Sequence, residues 1–140
     1  MNIRQLCAAT ALVLVAGLSN AQGTPAGFSG KWVVTDVVSY AATSGGIPEA
    51  RRILGKILSI TPQNIEFDGQ RCTPHGGFVV SEVDSASKLK DLYDVYPPDV
   101  GLPARTTLLD SPNCTAVFRM ADNRVVFGWN GVMVRAIREK

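Results

Sequence analysis

The sequence predicts a mainly β protein, a small antiparallel barrel or highly curved sheet of about eight strands with one or two short helices. Three observations predict it. Runs of β-branched and aromatic residues recur at short spacing, with turn signals between them. The segment Asn130-Gly131 sits between two such runs and has the chemistry of a tight hairpin turn, because both residues tolerate positive φ. Only one stretch, 84–96, shows a sustained helical period, with Leu89, Leu92, Val95 and Tyr96 in step.

Residues 1–21 read as a secretory signal peptide. Arg4 gives a positive n-region, Leu6 to Leu18 is apolar, and Ser19-Asn20-Ala21 places small residues at a cleavage site. The apolar run is shorter than the roughly 20 residues that span a bilayer, so no membrane span is expected. Cleavage after Ala21 leaves a flexible lead over 22–29 and a single β-barrel-like domain over 30–140. A short, alanine-rich leader of this type is bacterial in character, which places the chain in the periplasm or outside the cell.

Strand signals begin at Lys31–Tyr40, with Trp32, Val34 and Asp36 as candidates for one face. Ala41–Gly46 is a polar, glycine-rich loop. Pro48–Leu54 reads as one or two helical turns stopped by Gly55. Short strands follow at Ile57–Thr61 and Asn64–Asp68, then a turn at Asp68-Gly69 and a further strand at Phe78–Val83. Asp84 or Ser85 is placed to cap the helix, and Pro97-Pro98 to end it, with an irregular loop after it over 99–104. Arg105–Leu109, Cys114–Met120, Arg124–Trp129 and Val132–Ile137 complete the strands. The last of these carries apolar residues on both faces, as in a barrel or a sheet covered on both sides. Trp32, Phe67, Phe118, Phe127 and Trp129 are the large side chains available to fill an interior.

After cleavage thirteen basic and twelve acidic residues remain. That balance lacks the basic stripe of a nucleic-acid binder, so no nucleic-acid partner is expected. Cys7 leaves with the leader. Cys72 and Cys114 form an even pair in an oxidising compartment and are expected to be disulfide-bonded, free buried thiols being the alternative.

Gly30-Lys31-Trp32 resembles the Gly-x-Trp signature that opens the first strand of lipocalin and related calycin barrels. The resemblance implies that Trp32 packs across the closed end of a barrel. It also implies that an arginine of the last strand lies over its ring, Arg135 being the first candidate and Arg138 the second. Without the resemblance, Trp32 is an ordinary core aromatic.

His75, the single histidine, follows Cys72 at Cys-x-x-His spacing, yet the rest of a zinc site is missing and a bonded Cys72 cannot ligate. No metal or cofactor is expected. A serine triad would need His75 with Ser59, Ser81, Ser85, Ser87 or Ser111, none of them in a nucleophile elbow. Glu66, Asp68, Glu82 and Asp84 could supply paired carboxylates but sit where exposed acids are routine. Gly45-Gly46 and Gly76-Gly77 lack a phosphate-loop context.

The remaining candidates are binding loops at 41–48, 70–77 and 96–104, with Gly45, Gly46, His75, Tyr96, Pro97, Pro98 and Asp99 as their distinctive residues. They favour a non-enzymatic exported binding module, inhibitor- or immunity-like, that recognises a protein or envelope component. The alternatives are a calycin-like carrier of a small apolar ligand and an uncharacterised hydrolase.

Overall fold

A computed structural model describes residues 27–140; the expected signal peptide and residues 22–26 of the lead lie outside the described residues. Nine antiparallel strands form one curled, half-barrel sheet. In chain order they are β1 (Gly30–Tyr40), β2 (Ile57–Ile60), β3 (Ile65–Phe67), β4 (Gln70–Cys72), β5 (Val79–Asp84), β6 (Arg105–Asp110), β7 (Val117–Met120), β8 (Arg124–Trp129) and β9 (Val132–Arg138). Among the described residues three helices accompany them, α1 (Gly46–Ile53), α2 (Ser85–Tyr93) and α3 (Pro97–Val100).

The sheet order is β4-β3-β2-β1-β9-β8-β7-β6-β5. Two meanders therefore meet where β1 pairs with β9, and the outer strands β4 and β5 are consecutive in the chain. This connectivity forces the curl. A flat sheet of nine strands would hold its outer strands roughly 38 Å apart at the usual strand spacing. The seven steps from Cys72 to Val79 reach at most about 25 Å.

The two faces bury separate cores. The inner one gathers Trp32, Val34, Leu58, Ile60, Ile65, Phe67, Leu109, Val117, Val125, Phe127, Val132, Val134 and Ala136, with Ala50 and Ile53 of α1 packed into it. Phe67 meets Phe127 edge-on at 5.2 Å and Trp129 at 4.9 Å, so β3 and β8 touch across the curl. The outer core joins Leu108, Phe118, Val126 and Met133 of the sheet to Leu89 of α2, Val100 of α3 and Leu102. Phe118 thus lies on the outer face and does not fill the interior, because it neighbours Val126 and Leu108 in the ladder and shares their side.

Local chemistry accounts for most boundaries. Asp84 caps α2, its carboxylate accepting from the Ser87 amide at 2.9 Å. Asp68 and Gly69 both have positive φ and turn β3 into β4, a short strand without an apolar run to announce it. The helix expected to run to Tyr96 stops at Tyr93, where Asp94 takes a left-handed conformation and its amide donates to the Lys90 carbonyl. Pro97-Pro98 does not end it but starts α3, since proline fits a first helical turn, where no intrahelical donor is required. Cys114 to Ala116 precede β7 and form a loop.

Asn130 and Gly131 both have positive φ, at 47° and 74°. A Cβ on Gly131 would overlap the Thr43 carbonyl oxygen and fall 2.7 Å from the Ser44 Cα. Gly131→Ala is therefore expected to lower unfolding free energy by roughly 2–4 kcal/mol, combining backbone strain with displacement of fixed backbone. Urea unfolding of the variant checks this, and a loss below about 0.5 kcal/mol would disprove the close approach.

Candidate functional site

Loop 41–48 docks on the β8–β9 turn, and α1, which follows it, reaches from that turn to the β3–β4 turn. Ala41 donates its amide to the Gly131 carbonyl at 2.7 Å and Gly45 to that of Asn130 at 2.9 Å, which docks the loop carrying Gly45 and Gly46 on the β8–β9 turn. Asn130 Nδ2 donates to Glu49 Oε1 at 2.9 Å. Arg52 binds Glu49 through two nitrogens and reaches across to Asp68 in the β3–β4 turn. Lys56 joins Asp68 at 2.8 Å. The buried Ala50 and Ile53 anchor the helix below this charged girdle.

Hydrogen bonds from Arg52 and Asn130 hold the Glu49 carboxyl below its ordinary 4.5, and those from Lys56 and Arg52 hold Asp68 below 3.8. Both groups bind protons more weakly when folded. Their contribution to stability is thus present above the unfolded values and is lost as pH falls through the folded ones. The urea midpoint is expected to drop from about pH 4.5 downward. Asp68→Asn with Glu49→Gln should flatten that drop; an unaltered acid profile in the double variant would remove the girdle from the account.

Between β3–β4 and the loop before β7 lies a cleft of about 240 Å3 lined by Ile65, Phe67, Gln70, Arg71, Asn113, Thr115, Trp129 and the Cys72–Cys114 disulfide. The disulfide, with a Cα separation of 5.8 Å, ties the end of β4 to the loop before β7. Asn113 adds two bonds across the same gap, accepting from the His75 amide at 2.8 Å and donating to the Thr73 carbonyl at 3.0 Å. His75 is exposed and is held through its backbone. Asn113 belongs to the sequon Asn-Cys-Thr, but its side-chain nitrogen is occupied by this clamp.

Immediately after the clamped loop, Val79 and Val80 are 58% and 37% exposed at the start of β5. A second cleft, of about 250 Å3, lies against Val79, Asp110, Ser111 and Pro112. Sequence reasoning identified this strand but not its exposure; Val-Val directly after Gly76-Gly77-Phe78 was the available signal.

The third loop lies elsewhere. Pro97, Pro98, Asp99 and Tyr96 belong to α3 and its approach, on the outer face, and Tyr96 is 63% exposed. The predicted binding loops therefore do not converge on one surface.

At the barrel-end constellation the last-strand arginine is Arg138, not Arg135. Arg138 lies 4.1 Å over the Trp32 ring and binds the carbonyls of Ser29 and Gly27 at 2.6 and 2.8 Å. Register is the reason: Trp32 stands opposite Arg138 and shares its face, whereas Arg135 is three residues away on β9, points to the other face, and lies opposite Asp36 after the irregularity that follows Val34. Arg135 and Asp36 form an ion pair at 2.6 Å. Burial pushes the Asp36 carboxyl up, yet Arg135 and Thr35 together bring it below its ordinary value. Arg119 approaches the same Trp32 ring at 5.3 Å and also binds the Gly27 carbonyl. Gly30, with φ of 129°, passes beneath the Arg138 guanidinium, where a Cβ would sit 2.8 Å from it.

The carboxylates considered for acid–base chemistry have other partners. Glu66 pairs with Arg71, Asp68 with Arg52 and Lys56, Glu82 accepts from Thr107, and Asp84 caps α2. The Ser111 hydroxyl accepts from the Cys114 amide. Among the described residues no group of three or more His, Cys, Asp or Glu is placed to hold a metal ion, and no helix is long and apolar enough to cross a membrane. The chain matches no protein-family model, no curated protein and no solved structure.

Proposed function

We propose that this chain is an exported, non-enzymatic binding module of the bacterial envelope that recognises a protein or envelope component. The observation that carries this reading is a rigidly held loop that leads into exposed apolar surface. The disulfide and Asn113 fix residues 72–75, and Val79 and Val80 then stand in solvent. A surface ordered before binding loses less conformational entropy when a partner arrives. The disulfide supports an oxidising destination.

The carrier reading draws on the pairing of first and last strands and on Arg138 over Trp32, the features that resemble a calycin barrel. It is the weaker of the two, because Phe67, Phe127 and Trp129 pack against one another in the inner core.

Affinity capture tests the choice. Oxidised residues 22–140 serve as bait in an envelope extract, followed by mass spectrometry of what is retained. One protein or envelope polymer retained in proportion to bait, and absent with reduced and alkylated bait, is the expected result. Retention of a small hydrophobic molecule alone would transfer the assignment to the carrier.

A further inference from the structure

We propose that β5 accepts an extended strand of a partner protein, bearing lysine or arginine opposite Glu82, as a tenth strand of the sheet. The inference rests on the binding-module reading and names the partner's form.

The two outer strands of the sheet differ in how they are protected. Outer strands carry unpaired backbone donors and acceptors, and proteins commonly blunt them with brevity, positive charge or proline. β4 follows that pattern: it has three residues, carries Arg71, and ends in the disulfide. β5 does not. It runs for six residues, Val79-Val80-Ser81-Glu82-Val83-Asp84, without lysine, arginine or proline, and among the described residues its only strand neighbour is β6. Five of its six residues are exposed.

Its faces define what fits. Val79, Ser81 and Val83 share the outer side with Leu108 and Thr106, while Val80 and Glu82 share the inner side with Leu109 and Thr107. The Thr107 hydroxyl holds the Glu82 carboxylate at 2.5 Å, which fixes a negative charge along the inner side of the strand. Both ionisable residues of β5 are acidic. An added antiparallel strand that keeps apolar residues opposite Val80 and Val83 gains most by meeting Glu82 with a cation, because directly opposed opposite charges stabilise a strand pair and like charges repel.

A second copy of β5 fits less well. Antiparallel pairing that preserves the faces and is centred on Ser81 sets Glu82 against Val80. Centring on Glu82 sets acid against acid.

The test uses two labelled peptides with the full oxidised chain, acetyl-Thr-Val-Lys-Thr-Val-Thr-amide and its counterpart with Glu for Lys, read by fluorescence polarisation. The lysine peptide is expected to bind at least about tenfold more tightly than the glutamate peptide. Glu82→Lys should reverse that order, and Val80→Lys should weaken both; each site is exposed, so melting temperature reports that folding is retained. Equal binding of the two peptides, no binding of either, or an unreversed order in Glu82→Lys would overturn the proposal. So would a dimer in sedimentation that Val80→Lys dissolves, which would assign the strand to a second copy. Failure here is separable from failure of the binding-module reading. A partner captured equally by wild-type and Val80→Lys bait leaves the module and removes the β5 site, whereas absence of any captured component removes the module.

Discussion

Trp32→Ala is expected to lower the unfolding free energy by about 3–5 kcal/mol. The side chain is fully buried in the inner core, its indole nitrogen donates to the Phe28 carbonyl at 2.8 Å, and Arg138 covers its ring. Truncation removes the apolar surface and leaves a cavity. It also strips the Phe28 carbonyl of its donor and two guanidiniums of the ring they cover. Trp32→Phe keeps much of the ring and loses the donor, so a smaller loss of about 1–2 kcal/mol is expected. Urea denaturation of the three proteins orders them. A loss under about 1 kcal/mol for the alanine variant would contradict the central packing of Trp32.

Removing the disulfide should have a comparable effect. Cys72 and Cys114 are 42 residues apart, and opening a loop of that size costs about 4 kcal/mol on the chain-entropy model. The Cys72→Ser, Cys114→Ser double variant is expected to lose that amount, read from the urea midpoint and slope. Reductant should reproduce the shift in the wild type and leave the variant unchanged. A midpoint indifferent to both treatments would mean that the seam between β4 and the loop before β7 is held by other contacts.

Much of the fold was legible because local chemistry and global placement agree. The β8–β9 hairpin follows from Asn130-Gly131, the α2 start from Asp84, and the disulfide from the two cysteines that remain once Cys7 is assigned to the expected leader. Three features were not legible, each for a physical reason. Gln70-Arg71-Cys72 carries no alternating apolar pattern, because a short outer strand is specified by its turn and its partner. The helix expected to reach Tyr96 stops at Tyr93 on a left-handed Asp94, and Pro97-Pro98, read as its stop, opens α3, because proline suits a first helical turn as well as a helix end. The choice between Arg135 and Arg138 depends on the register of β1 against β9, two strands about a hundred residues apart, and a one-residue slip would exchange their faces. The candidate site was harder still. A sequence shows that Val79 and Val80 favour a strand, but exposure at a sheet margin is decided by which strands fail to neighbour it.

The pairing of β1 with β9 has a kinetic consequence. The middle of the sheet is built from the first and last strands described, so residues near 32 must find residues near 138. Contacts of such long sequence separation slow folding, because a large loop closes before they contribute, and millisecond-to-second refolding is the expected regime. A chain that crosses a membrane amino-terminus first delivers β1 long before β9. If this chain is exported, as proposed above, Cys72 and Cys114 both emerge before β9, so the covalent link would precede the central pairing it later locks. Oxidation would then shorten the search that the last strand has to make.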